Sequence, residues 1–277
     1  MEEKTGPELE KLRELVVFDK VTKAFGDGPH AKVAIKEVSF VVEDLPNRGE
    51  LIAIVGQSGC GKSTVLRILA GLEPHFPPTR DKPGADRGMV DQKYSLMPHL
   101  TVLDNIAFGL KLRGVAARER RDRAREWAKK VGLEGAEDKY PSELSGGMQQ
   151  RVSIAATLIL APKILLMDEP FGALDPKTRM QMQELLVQLW QEQQSTVFIV
   201  THSVEEAIYL GDRVFRMATQ PGRLVEILEL PRPDMPPEVM RKKPWFNELT
   251  QELLRRLETD APASGELPGI EKWRGQR

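Results

Sequence analysis

A glycine-rich turn that separates an apolar run from a helical pattern constrains the fold of this chain more than any other feature. The apolar run covers residues 51–55, and the turn over 56–63 reads Gly-Gln-Ser-Gly-Cys-Gly-Lys-Ser. Such glycines let backbone N–H groups converge on an anion, while the lysine reaches the β- and γ-phosphates of a nucleotide and the serine hydroxyl can ligate Mg²⁺. A helix expected over 64–70 adds its positive N-terminal end. The sequence therefore predicts a nucleotide-binding site formed by Gly56, Gln57, Ser58, Gly59, Cys60, Gly61, Lys62, Ser63 and Thr64.

Length and composition bound the class of protein. The chain has 277 residues, 40% hydrophobic and 29% charged, which is enough for a sizeable core in one large domain or two small ones. A net charge of −1 provides no global field that would recruit nucleic acid or anionic lipid. The single cysteine, Cys60, excludes an internal disulfide, fits a reducing cytosol and is favoured as a small filler of the turn over a redox group. No export signal opens the sequence, and Pro162 and Lys163 break its longest apolar stretch, so we expect no membrane span.

Three short apolar runs have the continuous Val/Ile/Leu/Met content of strands that are covered on both faces. They cover residues 51–55, 164–167 and 197–200. Polar groups follow each run, namely the glycine turn, the pair Asp168-Glu169 and the pair Thr201-His202. Because ligands of open α/β sheets bind beyond the carboxyl ends of the strands, we expect all three groups to serve one site.

The acid pair Asp168-Glu169 suits metal-assisted phosphoryl transfer. The first carboxylate would hold Mg²⁺, and the second would orient the attacking water. Two adjacent acids in isolation would also fit a solvated strand end. The phosphate turn upstream, together with Pro170 at the end of the run, favours the catalytic interpretation.

Before the glycine turn, the pattern predicts strands over 16–24 and 33–42 around a turn at 26–29. Residues 8–15 fit either a short helix or a solvated lead-in. We therefore expect a lead-in over 1–15 and a folded domain over 16–230.

A helical subdomain is expected over about 95–160. Thr101 and Asp104 form a capping pattern ahead of apolar residues at helical spacing. A second helix over 119–131 carries arginines that alternate with acids and lack aromatic partners, which favours a solvated face over a nucleic-acid surface. Its inward residues would be Ala124, Trp127, Ala128 and Val131.

A second serine–glycine–glycine turn, Ser145-Gly146-Gly147, precedes a helix expected over 148–160. It offers another set of free N–H groups and another positive helix end to an anion, and a plain helix N-cap is the alternative. After residue 230 comes a proline-rich stretch over 231–237, followed by a helix with Phe246, Leu249, Leu253 and Leu257 at helical spacing. This helix would dock on the main domain or on a partner, and the polar residues from 260 onward are expected to be disordered.

The order of these motifs resembles that of the ATP-binding cassette family over roughly residues 15–230. The order is the glycine turn, Gln92, Leu144-Ser-Gly-Gly-Met-Gln149, Asp168-Glu169-Pro170, Ala173-Leu174-Asp175 and His202. The resemblance implies an α/β phosphate-loop fold with a mostly parallel core sheet, an antiparallel β subdomain and an inserted helical subdomain.

The resemblance also implies a role for each motif. The turn 56–63 is similar to the Walker A motif, Asp168 to the Walker B acid, and Glu169 to the catalytic carboxylate. Gln92 is similar to the glutamine near Mg²⁺ and the attacking water, and His202 to the switch histidine that contacts the γ-phosphate. The implied metal contacts are Ser63, Gln92 and Asp168.

Other implied roles concern the second subunit and the base. Ser145-Gly146-Gly147 would cap the γ-phosphate held by the other subunit, and Asp175 would lie across the dimer interface. Phe25 is aromatic where the family stacks adenine, and a buried core phenylalanine is the alternative.

Within the family, the motifs resemble importer cassettes of the nitrate, sulfonate and taurine type. Asp91 departs from the phenylalanine that usually precedes the glutamine in such cassettes. Few positions separate Lys62 from Gln92, and residues 75–83 between them have little strand character, so the completeness of the antiparallel β subdomain stays open.

The resemblance implies a subunit that binds ATP with Mg²⁺ and, as two copies closed head to tail, hydrolyses it to drive a membrane permease from the cytoplasmic side of the membrane. The permease and any substrate-binding protein would be separate chains. A loop with Tyr94, Leu96, Met97, His99 and Leu100 would receive a permease helix, or else pack the helical subdomain to the sheet. The alternatives are an exporter or extractor of lipid or metabolite, and a soluble cassette acting on nucleic acid or ribosomes. The last is disfavoured because the chain shows neither a long coiled coil nor a tandem cassette.

Overall fold

The computed structural model describes residues 14–28, 31–44, 49–75, 80–81, 86–230 and 237–258. The chain divides into two compact units. The first unit comprises Met1–Ala85 and Thr196–Arg277, and the second comprises Asp86–Ser195.

The described ranges contain both strands and α-helices. The strands are β1 (Glu14–Phe25), β2 (Lys32–Glu43), β3 (Leu51–Gly56), β4 (Arg80–Asp81), β5 (Arg87–Val90), β6 (Ile164–Asp168), β7 (Thr196–Val200), β8 (Arg213–Ala218) and β9 (Arg223–Glu229). The helices are α1 (Lys62–Leu69), α2 (Val102–Leu112), α3 (Ala117–Lys130), α4 (Gly146–Leu158), α5 (Pro176–Gln193), α6 (Val204–Leu210), α7 (Pro237–Met240) and α8 (Pro244–Leu257).

A mostly parallel sheet forms the core of the first unit. Strand β3 lies between β7 and β8 and pairs with both in parallel, while β9 pairs with β8 in the antiparallel sense. Every residue of β3 and β7 is buried, as expected for continuous apolar runs in strands covered on both faces. The carboxyl ends of β3 and β7 carry the phosphate turn and His202, respectively.

The first unit also contains an antiparallel sheet with the order β2-β1-β4. Strands β1 and β2 pair along most of their length, and Phe18 stacks on Phe40 with ring centroids 4.4 Å apart. Strand β4 contributes two residues, paired with Val16 and Val17 of β1. Of residues 75–83, which have little strand character in the sequence, the structure describes only 75, 80 and 81, and the last two form β4.

The second unit consists of the parallel pair β5-β6 and the helices α2 to α5. The Thr101 hydroxyl accepts a hydrogen bond from the Asp104 N–H at 3.2 Å, so the capping prediction for α2 is confirmed. In and after α3, Ala124, Ala128 and Val131 are buried and Trp127 is half-buried, so the predicted inward face is also confirmed. The arginines Arg118, Arg120, Arg121, Arg123 and Arg125 are exposed or half-buried.

The C-terminal helix α8 docks on the first unit. Phe246, Leu249 and Leu253 are at most 3% exposed, and the neighbouring helix α6 packs against α8. The predicted helical face is thus confirmed. Of the two expected docking surfaces, the main domain and a partner, the helix packs on the main domain.

Several expectations concern residues outside the described ranges. The lead-in up to residue 13, the proline-rich residues 231–236 and the tail from 259 onward lie outside them. At the end of the lead-in, Glu14 and Leu15 belong to β1, so a helix over 8–15 is wrong for these two residues.

Candidate nucleotide-binding and hydrolysis site

The phosphate turn joins β3 to α1 in the first unit. Gly59 and Gly61 have φ angles of 78° and 91°, a left-handed conformation that strains any residue with a side chain. At Gly61, an added Cβ would also lie 2.4 Å from Cγ2 of Ile35. The turn can therefore pass close to a phosphate and deliver the chain into the N-terminus of α1, where N–H groups have no partner within the helix.

Lys62 is directed back onto the carbonyls of the turn. Its side chain is buried, and Nζ donates hydrogen bonds to Gly56 O at 2.8 Å and to Gln57 O at 3.1 Å. A nucleotide phosphate would exchange these neutral acceptors for charged ones, which form stronger bonds.

Cys60 is buried beneath the same turn. Its Sγ lies 3.9 Å from Lys62 Nζ, and burial raises the pKa of the thiol although the lysine opposes this shift. A Cβ added at Gly56 would lie 2.5 Å from this sulfur, so the cysteine fills the space under the turn, as the sequence predicts.

His202 occupies an exposed position between β7 and α6. Thr201 before it is buried, and its Oγ1 donates to the carboxylate of Glu206 and accepts from Ser203 N. Ser203 then caps α6 by accepting from Glu206 N at 3.3 Å. These hydrogen bonds hold the backbone on either side of His202. The sequence pattern does not reveal this supporting role of Thr201 and Glu206.

Phe25 ends β1 and is 44% exposed. The alternative of a buried core phenylalanine is therefore wrong. The Lys23 ammonium lies over its ring, with Nζ 4.8 Å from the ring centroid.

In the second unit, Gln92 and Glu169 are joined by a hydrogen bond. Gln92 Nε2 donates to Glu169 Oε2 at 3.2 Å, although the residues are 77 positions apart. Glu169 has a φ of 45°, a left-handed conformation that costs a non-glycine residue energy and that clusters at functional sites. The half-buried Asp168 ends β6 directly before it.

The turn Ser145-Gly146-Gly147 forms the start of α4. Ser145 accepts a hydrogen bond from Met148 N, so it is the N-cap of this helix. A Cβ at Gly147 would lie 2.7 Å from Cγ2 of Thr178, and one at Gly146 would lie 3.2 Å from the Tyr94 hydroxyl. Glycine at both positions therefore lets Thr178 and Tyr94 pack closely against the first turn of α4.

Asp175 caps α5. Its carboxylate accepts from the N–H groups of Lys177 and Thr178, both at 3.1 Å, and hydrogen bonds from Thr178 are the main reason that the pKa of Asp175 is lowered. Arg179 holds the preceding loop by donating to the carbonyls of Phe171 and Leu174. No local sequence signal marks this arginine, because its acceptors are backbone carbonyls.

Each unit thus groups part of the expected site. The first unit holds the phosphate turn, Phe25 and His202, and the second holds Gln92, Asp168, Glu169, Ser145 and Asp175. Among the described residues there is no cluster of three or more His, Cys, Asp or Glu side chains that could hold a metal ion.

Fold and site together define a phosphate-loop nucleotide-binding protein. The chain matches the family model described as "ABC transporter" over residues 36–172. It is 44% identical over 263 residues to an uncharacterized ABC transporter ATP-binding protein of Methanocaldococcus jannaschii, covering 90% of this chain and 96% of the relative. It is 51% identical to the taurine import ATP-binding protein of Rhizobium johnstonii, covering 71% and 76%, and 43% identical to the nitrate import ATP-binding protein of a Synechocystis strain, covering 82% and 90%.

A solved structure adds to these likenesses. The dimeric post-hydrolysis state of the ATP-binding cassette MJ0796, bound to ADP and Pi, has a TM-score of 0.69 and 32% sequence identity, covering 78% of this chain and 99% of that one. The chain belongs to the ATP-binding cassette family of transporter ATPases. Its fold is that of an ABC cassette, and it binds and hydrolyses ATP. Along the described ranges, no helix has the length and apolar character needed to cross a bilayer.

Proposed function

We propose that this ATPase powers the import of a small anion or organic solute through a separate membrane permease. Relatives named as taurine, nitrate and aliphatic sulfonates import ATP-binding proteins support this proposal. The structural observation that carries the ATPase chemistry is the hydrogen bond of Gln92 to Glu169, a carboxylate on a strained backbone directly after Asp168.

In this proposal, the phosphate turn binds the triphosphate. Lys62 releases the carbonyls of Gly56 and Gln57 to contact the β- and γ-phosphates, and N–H groups at the start of α1 donate to their oxygens. Phe25 stacks on the base through its exposed ring. The other members of the phosphate-binding set are Ser58, Gly59, Cys60, Gly61, Ser63 and Thr64.

Ser63, Gln92 and Asp168 would hold Mg²⁺ through a hydroxyl, an amide and a carboxylate oxygen. The hard oxygen chemistry of these three groups suits this cation. When bound, the ion neutralises charge on the β- and γ-phosphates during transfer.

Hydrolysis is assigned to Glu169, which orients the attacking water. The water oxygen forms a bond to the γ-phosphorus while the bond to the bridging oxygen breaks and ADP leaves. Gln92 fixes the orientation of the carboxylate through its amide, and His202 stabilises charge on the γ-phosphate.

We further propose that two copies complete each other's sites. The N-terminus of α4, capped by Ser145, would bind the γ-phosphate held by the partner subunit through Gly146 and Gly147, and Asp175 would face the partner. The dimeric state of the similar solved cassette supports this arrangement. A substrate-binding protein would be a further separate chain, and the complex would lie on the cytoplasmic side of the membrane.

The loop after Gln92 is the proposed docking surface for the permease. Met97 is 39% exposed, whereas Leu96 and Tyr94 are half-buried. The loop therefore leaves part of its apolar side-chain surface in contact with solvent. Asn105 holds the loop in place, because its Nδ2 donates to the Met97 and Leu100 carbonyls and its Oδ1 accepts from Met97 N. His99 is exposed in the same loop.

Transport by the reconstituted complex tests the proposal. The tagged chain would be purified with its permease in detergent, placed in liposomes and supplied with ATP on the cassette side. We expect ATP-dependent movement of labelled nitrate, taurine or an alkanesulfonate across the bilayer to the side that carries the cassette. A Glu169→Gln cassette should support no such movement. ATP-dependent movement in the opposite direction would contradict import while leaving the ATPase assignment intact.

A further inference from the structure

A lysine side chain lies over the exposed aromatic ring of Phe25. The Lys23 ammonium lies 4.8 Å from the ring centroid, within the range of a cation–π interaction. The Lys23 side chain is only 11% exposed, whereas Phe25 is 44% exposed. A lysine at a strand end ordinarily extends into water, so a lysine side chain with so little exposure is held in place by specific partners.

Glu73 is the partner that holds Lys23. Its Oε2 lies 3.2 Å from Lys23 Nζ, and its Oε1 accepts from Arg67 Nε at 3.3 Å. Arg67 belongs to α1, the helix that begins at the phosphate turn. A chain of contacts therefore runs from the phosphate-binding helix through Glu73 and Lys23 to the ring of Phe25.

This arrangement orders an aromatic ring before any base arrives. Ordering a side chain costs free energy, and a partner that orders it in the free protein removes that cost from the binding step. The cation also withdraws electron density from the ring face, which reduces the repulsion between the π systems of the ring and a stacked base.

We propose that Lys23 is a positioning residue for the nucleotide base, fixing the Phe25 ring as the platform on which the base stacks. The proposal rests on the proposed role of Phe25 in base binding. Because Lys23 acts through Phe25 in this proposal, its effect belongs to ligands that carry a base.

A double-mutant cycle tests this proposal. The Kd of MgATP and of inorganic tripolyphosphate would be measured by titration calorimetry for the wild type, Lys23→Met, Phe25→Ala and the double variant. Methionine keeps the length of the side chain and removes its charge. We expect Lys23→Met to weaken MgATP binding about three- to tenfold, to leave tripolyphosphate binding unchanged, and to have no further effect in the Phe25→Ala background.

Two further variants test whether the charge of Lys23 and its ion pair with Glu73 cause the effect. Lys23→Arg keeps the cation and should restore most of the MgATP affinity, whereas Glu73→Gln should give a smaller loss of the same base-dependent kind. A loss that is equal for MgATP and tripolyphosphate, or equal with and without Phe25, would overturn the proposal.

The experiment distinguishes a failure of the proposed base stacking on Phe25 from a failure of the proposed phosphate binding at Lys62. If Phe25→Ala binds MgATP as the wild type does while Lys62→Ala does not bind, the platform is wrong and the phosphate site stands. If Lys62→Ala binds MgATP normally, the proposed phosphate site itself is wrong.

Discussion

Gln57 in the phosphate turn donates a hydrogen bond from Nε2 to the carbonyl oxygen of Leu257, the last residue of α8, at 3.1 Å. The preceding carbonyl, that of Arg256, accepts from the buried Arg216 at 2.8 Å. Two of the carbonyls that a helix leaves unpaired at its C-terminus are therefore satisfied by the first unit. The C-terminal helix ends directly at the phosphate turn.

Replacing Gln57 by alanine should loosen this end of α8. The Leu257 carbonyl would turn to water, and the loss of one hydrogen bond corresponds to about a two- to tenfold faster amide exchange in the last turn of the helix. Hydrogen exchange measured by mass spectrometry checks this outcome, with α2 as an internal reference that should not change. Unchanged exchange over 250–258 would show that the contact contributes nothing.

Lys62 and Glu169 should fail at different stages. Lys62→Ala leaves the phosphate charge uncompensated, so we expect nucleotide binding to be lost. Glu169→Gln removes the carboxylate that orients water, so binding should persist while hydrolysis slows by roughly 10²- to 10⁴-fold. Equilibrium binding of a fluorescent ATP analogue and phosphate release would be measured in parallel. An equal loss of affinity in both variants would refute the assignment of roles.

The Glu169→Gln variant should form a dimer only with MgATP. Because each ATP would bridge Lys62 of one copy and Ser145 of the other, ligand binding and association are linked. Light scattering should show a dimer in MgATP and a monomer in MgADP. Adding Ser145→Arg, which places bulk at the N-terminus of α4, should keep the protein monomeric in both nucleotides.

Substitutions in the loop after Gln92 should affect coupling to the permease more than ATP hydrolysis. Replacing Leu96 and Met97 together by serine should leave basal hydrolysis within about twofold and weaken permease association, because the change is confined to the proposed docking surface. Leu112→Ser is the matched control, since Leu112 is 73% exposed on α2 and lies outside the loop. A parallel loss of ATPase activity and melting temperature would assign Leu96 and Met97 to the core instead.

Glu252 should make the docking of α8 sensitive to acid. Hydrogen bonds from Arg255 and Arg256 lower the pKa of this carboxyl from 4.5 to about 2. Because the folded state favours the ionised form, Glu252 stabilises the fold above pH 4.5, and this stabilisation is lost as the pH falls toward 2. Urea unfolding of the wild type and Glu252→Gln should show a constant difference between pH 5 and 7 that shrinks below pH 4.5. A difference that does not change with pH would contradict the shift.

The strands and the phosphate turn could be predicted because their signals are local. A continuous apolar run over 51–55 and glycines spaced around a lysine determine a buried strand followed by a turn, and β3 and α1 follow that order. Helices α1 and α4 begin two residues earlier than expected, at Lys62 and Gly146. Their preceding residues, Gly61 and Ser145, take the N-cap position, which the hydrophobic pattern alone does not reveal.

The motifs, their order and the chemistry that each residue type can perform can be recognised from the sequence alone. Packing of the folded chain is needed to show that Gln92 contacts Glu169, that Gln57 contacts the end of α8, and that Lys23 lies over the ring of Phe25. The first two contacts join residues 77 and 200 positions apart, so they depend on how separate elements pack. The third is close in sequence, yet the position of the lysine depends on Glu73, which a strand pattern cannot specify because the partner lies outside the strand.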